Sequence, residues 1–147
     1  MSVFIILTSI RFSGPKVFGW IDLHVEVESV PFEQLSSAPK GESSATIRER
    51  VIKARQIQEE RYKGIKGIHC NAQMNSTLLH KYAQLDAPSN EMLQRAMTHL
   101  NLSARAYERI IKVARTIADL AGEEHIQRQH VAEAVGYRSL DRESWVE

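Results

Sequence analysis

The chain has 147 residues, 43% of them hydrophobic and 25% charged, with a formal net charge of +1. This is ordinary composition for a globular domain, and so small a net charge excludes a strong overall attraction to nucleic acid or an acidic membrane. Cys70 is the single cysteine, which excludes an internal disulfide and suits a reducing compartment. No apolar run approaches the ~20 residues of a membrane span. Val3–Leu7 is too short for a signal-peptide core and has no basic residue before it, so a cytoplasmic location is expected.

The first region, 1–35, reads as a small β element. Val3–Leu7 is a continuous apolar run, and Ile21, Leu23, Val25 and Val27 alternate with Asp22, His24, Glu26 and Glu28, the period of a strand with one buried face. The connector SGPKVFGW carries the turn formers Gly14, Pro15 and Gly19. A lone hairpin of this kind is marginal, and its unpaired edges predict self-association.

The second region, 36–75, reads as a linker with a basic helix. Ser36–Ser44 is a loop, and a helix is predicted from Ala45 to about Tyr62, with Thr46 and Glu49 spaced as a capping box. Its apolar stripe is thin (Ile47, Val51, Ala54, Ile57, Tyr62), and it carries Arg48, Arg50, Lys53, Arg55, Arg61 and Lys63. Gly64 and Gly67 end it.

The third region, 76–147, reads as a helical bundle. Helices are predicted at Ser76–Gln84, Ser89–Leu100, Ser103–Ala121 and Gln127–Tyr137, with Pro88 and Ser89 marking a start and Gly122 and Gly136 marking ends. Short connections imply packed neighbours. The fold class expected is therefore α+β, mainly α.

The stretch Leu102–Leu120 is the most informative. At about 100° per residue, Ala106, Ile110, Val113, Ile117 and Leu120 line one side of a wide apolar face, and Tyr107, Ile111, Ala114 and Ala118 the other. A helix this apolar belongs in the middle of a bundle. Arg105, Glu108, Arg109, Lys112, Arg115 and Asp119 form its polar edge, and Ser103 is placed to cap it.

From Phe12 to Trp145, several segments occur in a telling order: FSGP (12–15), IDLHVEV (21–27), PFEQL (31–35), GESSATIRERVIKAR (41–55), NAQM (71–74), LNLSARAYERIIKVARTIADL (100–120) and HVAEAVGYRSLDR (130–142). In these the chain resembles the C-terminal part of the magnesium-chelatase-like AAA+ ATPases of the ComM/YifB type. The resemblance implies an ATPase lid, in a ring whose P-loop core binds ATP with magnesium, and a parent protein acting on DNA. It implies that Arg105, in the Ser-x-Arg at the head of the long helix, takes the sensor-2 role toward the nucleotide phosphates. The partners implied are that core and neighbouring subunits.

The departures narrow this. The chain has no G-x-x-x-x-G-K-[ST] and no acidic Walker-B strand, so the phosphate cradle is missing and no ATP hydrolysis is expected from the chain alone. Where the family carries an Asp-Arg pair, this chain has Gly19-Trp20, which takes away the arginine finger. Residues 1–11 have no family counterpart.

Plainer readings compete for each basic group. Arg109, Lys112 and Arg115 extend the edge begun by Arg105 and suit phosphate or a neighbouring subunit; a solvated face is the simpler reading. Arg48, Arg50, Lys53 and Arg55 suit a nucleic-acid backbone, but Glu49, Glu59 and Glu60 share that helix and no aromatic platform is interleaved. A nucleotide-independent DNA- or protein-binding module is the alternative function. His69, Cys70, His80, His125 and His130 lack zinc-site spacing, so no metal site is expected, and no nucleophile elbow or other local catalytic motif is present.

Overall fold

Four helices begin where a short polar side chain closes the first turn, satisfying a backbone N–H that the helix leaves unpaired. The computed structural model describes residues 41–138, together with Leu23 and Val25 singly. Within it, α1 runs Ser44–Arg61, a 3₁₀ turn Asn71–Gln73, α2 Ser76–Tyr82, α3 Ala87–His99, α4 Ala104–Ala121 and α5 Arg128–Gly136. Ser43 accepts from the Thr46 N–H at 3.2 Å, Asn75 from Leu78 at 3.0 Å, Asp86 from Ser89 at 2.9 Å and Ser103 from Ala106 at 3.3 Å. The Ser103 cap is where the sequence places it. For α1 the cap is Ser43 rather than Thr46, which sits inside the helix with its hydroxyl 2.8 Å from that of Ser43. For α3 the start shifts from Ser89 to Ala87, because the Asp86 carboxylate captures the first turn. Hydrogen bonding to Ser89 holds the Asp86 carboxyl below its ordinary value. The cap therefore supports the helix at neutral pH and weakens as pH falls through the lowered native value.

The end of α4 is equally explicit. Gly122 adopts φ 74°, and the Glu123 N–H donates to the Ala118 carbonyl at 2.9 Å, the wrap of a left-handed glycine terminus. Gly136, also expected to end a helix, is the last residue of α5, but without a positive φ. The two glycines should respond oppositely to alanine. Gly122→Ala is expected to destabilise by about 1 kcal/mol because a Cβ strains the left-handed conformation. Gly136→Ala, with nothing near its absent Cβ, is expected to be neutral or stabilising by about 0.5 kcal/mol. Paired urea titrations measure both.

Helix α4 is the central element. It packs on α1, α2, α5 and the 3₁₀ turn, and α3 packs on α5. The core gathers Leu79 of α2, Leu93 of α3, Ile110 and Ile111 of α4 and Val131 of α5, together with Tyr62, Met74 and Ile126 from the connections. Ala114 and Ala118, fully buried, keep the middle of α4 slim so that neighbours approach on several sides. A single parallel bridge, Leu85 to Ile126, ties the α2–α3 connection to the α4–α5 connection.

The expected α+β class is corrected. Among the described residues there is no strand, only that isolated bridge, and the architecture is a helical bundle. Leu23 and Val25, which fall in the alternating run 21–27, carry no strand pairing; Leu23 is half-buried and Val25 exposed. The remainder of the expected β element, residues 1–22, 24 and 26–35, lies outside the described residues, as does the self-association argued from its edges. Period-two alternation shows which side chains would share a face, but a strand needs a partner for its backbone groups, and among the described residues Leu23 and Val25 pair with none.

Candidate functional site

Arg105 lies in the first turn of α4, two residues beyond the Ser103 cap, and is solvent-exposed. Arg109 and Lys112 follow on the same side and are half-buried. The Lys112 ammonium donates to the Ala72 carbonyl at 3.3 Å, holding the 71–74 loop against α4. The first three basic residues of the expected edge thus share one helix face, with Lys112 already committed to a structural contact.

Arg115, the fourth basic residue of the expected edge, is set apart from them by burial. It is 3% exposed. Its guanidinium donates to the Asp119 carboxylate from Nε at 3.1 Å and to the Glu124 and Glu123 carbonyls at 2.7 and 2.6 Å. The polar edge turns inward here because the C-terminal end of α1 crosses α4 and covers it.

That crossing builds a buried polar cluster. Asp119, 2% exposed, accepts from both terminal nitrogens of Arg61 and from Asn71 Nδ2 at 2.8 Å as well as from Arg115. Asn71 also donates to the Thr116 hydroxyl at 3.1 Å, while its Oδ1 accepts from Arg61 at 2.9 Å and from the Tyr62 hydroxyl at 2.8 Å. Both donors and both acceptor positions of its amide are therefore used. Its backbone N–H donates to Gln58 at 3.1 Å. One carboxylate between two guanidiniums leaves the cluster net positive, and the two arginines respond differently. Burial works against the charge of both. For Arg61 the hydrogen bonds and charge of Asp119 more than offset it and its pKa rises. For Arg115 burial dominates, with Arg61 as a like charge nearby, and its pKa falls. Both remain charged at neutral pH.

Burial raises the pKa of Tyr62 above the ordinary phenol value, with the Arg61 charge opposing. A raised native value means that this contribution to stability is fully present below about pH 10 and is lost as pH rises through the native value. Tyr62→Phe is expected to cost about 1 kcal/mol at pH 7, the lost hydrogen bond to Asn71, and to flatten the alkaline decline. Unfolding midpoints between neutral pH and pH 11 check it.

On α1, Arg48, Arg50, Lys53 and Arg55 are exposed. Arg50 is engaged in a two-pronged pair with Glu42, at 2.9 and 3.0 Å. Sequence reasoning missed Arg61, Asn71 and Asp119 as a unit. The signal available was NAQM (71–74) and the Arg115–Asp119 spacing of four.

Two surface hollows flank α2. One, of about 460 Å³, is lined by Ile57, Arg61, Lys81, Tyr82, Arg115 and His125 among others. The other, of about 410 Å³, lies beside the head of α4 and is lined by Leu79, His80, Asn90, Tyr107, Glu108 and Ile111 among others. Among the described residues no group of three His, Cys, Asp or Glu side chains is placed to hold a metal ion, and no helix is long and apolar enough to cross a membrane.

Residues 41–138 match a family model described as the magnesium chelatase, subunit ChlI C-terminal. The chain belongs to that family. Among curated proteins it is 44% identical over 133 residues to the competence protein ComM of Haemophilus influenzae, and 43% and 40% identical to the YifB proteins of Salmonella typhimurium and Escherichia coli. In each case the match covers 90% of this chain and 25% of the relative. The chain therefore spans about a quarter of the length of these relatives and corresponds to their C-terminal portion.

Proposed function

We propose that the chain works as the lid and subunit-contact domain of a magnesium-chelatase-like AAA+ ATPase. The observation that carries this reading is the exposed Arg105 at the Ser103-capped head of α4, within a bundle of that family. A planar guanidinium at a helix N-terminus, where backbone N–H groups also favour anions, suits phosphate oxygens. Magnesium-bound ATP fits the described residues in part only. Arg105 suits the phosphates, whereas no carboxylate cluster offers ligands to the metal and the sequence has no phosphate cradle. Arg105 acts on a nucleotide held by a P-loop core supplied by other sequence. Arg109, beside it on the same face, suits the same phosphates or a neighbouring subunit.

Titration calorimetry with ATP tests this. The chain alone is expected to show no binding. Combined with the P-loop core of a full-length relative, Arg105→Ala is expected to weaken ATP affinity about 10- to 100-fold, the loss of a charge-assisted hydrogen bond. Arg95→Ala, an exposed arginine on α3 paired with Glu91, is expected to have no effect. Equal affinities for Arg105→Ala and the unsubstituted chain would remove the reading.

A second reading, nucleotide-independent binding of DNA, is favoured by the exposure of Arg48, Lys53 and Arg55 on α1. Three phosphate contacts would give a log–log salt slope of about −3, abolished by replacing all three with alanine. A salt-independent affinity, or none, counts against it.

A further inference from the structure

The hollow of about 460 Å³ is bounded by Ile57 and Arg61 of α1, Lys81 and Tyr82 of α2, and the connection 122–125. It meets α4 at Arg115, about 15 Å along that helix from Arg105, so it is a separate place from the helix head. Its size falls in the range of small-ligand sites.

Arg61 has donors to spare there. Its Nη1 group donates to Asn71 and Asp119 and its Nη2 group to Asp119, which uses three of the five N–H groups of a guanidinium. The Nε–H and the second Nη2–H, side by side along one edge of the planar group, have no acceptor among the described residues. Arg61 lines the hollow with 12% of its side chain exposed, and this edge is what remains for a ligand. Two parallel N–H groups form the fork that takes both oxygens of one carboxylate.

The charge balance leaves room for an anion. Asp119 offsets only one of the two guanidiniums it joins. The Lys81 ammonium, at the rim, lies 4.9 Å from the centre of the Tyr82 ring and is paired with no acid among the described residues. Glu123 and Glu124 line the hollow too, but both turn their backbone carbonyls to Arg115, and the Glu123 carboxylate accepts from Gln127 at 3.3 Å. Beside the fork stand two apolar surfaces. Ile57 is 38% exposed, and Tyr82 is set edge-on to the buried Tyr62, with ring centres 5.7 Å apart. A bare oxyanion would leave these two surfaces wet; an acid that carries an apolar group covers them.

We propose that this hollow binds a carboxylate joined to a compact apolar group, as at the end of a peptide chain or in a free organic acid. The two oxygens sit on the free edge of Arg61, Lys81 is the second cation, and the apolar group lies against Ile57 and Tyr82.

Arg61 clamps α1 to α4, so it stays in place and the ligand and the rim are varied instead. With N-acetylphenylalanine titrated into the ¹⁵N-labelled full chain, the Arg61 Nε–H resonance and the amides of Lys81, Tyr82 and His125 are expected to shift saturably. N-acetylphenylalaninamide, which lacks the carboxylate, is expected to bind about 10- to 100-fold more weakly, the loss of a charge-assisted pair. Lys81→Ala should weaken binding of the acid about three- to fivefold. Lys66→Ala, at an exposed lysine that does not line the hollow, should leave it unchanged. 3-Phenylpropionate separates the two sources. An affinity equal to that of N-acetylphenylalanine assigns the hollow to free organic acids, and a preference of about tenfold for the peptide-like probe assigns it to chain ends. Equal binding of acid and amide, an affinity indifferent to Lys81→Ala, the absence of saturable shifts, or shifts centred on Arg105 at the head of α4 would overturn the proposal.

Discussion

Asp119→Ala is expected to cost about 3–5 kcal/mol, a large fraction of the stability of a domain of this size. Asp119 is 2% exposed and, among the described residues, is the only acid paired with both Arg61 and Arg115. Removing it leaves two guanidiniums facing each other in a site shielded from water, and strips Asn71 Nδ2 of one of its acceptors. Loss of the attractive pair is the smaller part of the effect; the buried uncompensated charge is the larger. Asp119→Asn keeps the shape but not the charge, so it should lose most of the same stability. Replacing Arg115 and Asp119 together by Met and Leu should cost less than either Asp119 change alone, because it withdraws a charge of each sign. Urea unfolding of the set distinguishes the two contributions. A double variant as unstable as Asp119→Ala would show that the carbonyls of Glu123 and Glu124, left without the Arg115 donors, matter more than the charge.

Leu93→Ala is expected to cost about 2–5 kcal/mol. Leu93 is 1% exposed, on the face of α3 that meets α5, where truncation leaves a void that close-packed neighbours fill only in part. Leu120, on α4 but 38% exposed, provides the contrast: Leu120→Ala should stay within about 0.5 kcal/mol. The comparison separates burial from residue type, and similar losses at the two positions would place the core differently from the packing described.

Much of the bundle is legible in the sequence, because its helices obey local rules. Ser103 and Gly122 bracket α4, and the four helices beyond residue 75 fall within about two residues of their predicted spans. What is not legible is which neighbour covers which face. Periodicity groups Arg115 and Asp119 with Arg105 on one polar edge, and that grouping is right as far as the helix alone goes. Their burial is decided by Arg61 and Asn71, which meet Asp119 across 58 and 48 positions of chain, a separation no local pattern encodes. The cap of α1 was ambiguous for a different reason: Ser43, Ser44 and Thr46 all offer a hydroxyl, and backbone geometry selects Ser43. Arg105 stands exposed where its Ser-x-Arg context puts it, since a residue just past an N-cap is presented by the helix end whatever packs below.

Helix α1 is an unbroken rod of 18 residues, about 27 Å long. It is clamped at one end by the Arg61–Asp119 grip and has its first ten residues outside the bundle. Such a rod is a lever with its fulcrum at the clamp. A turn of the bundle through about 10° would sweep Ser44 through about 4 Å at 1.5 Å per residue, and a push on Ser44 would be delivered to Asp119 on α4, the same helix that carries Arg105 at its far end.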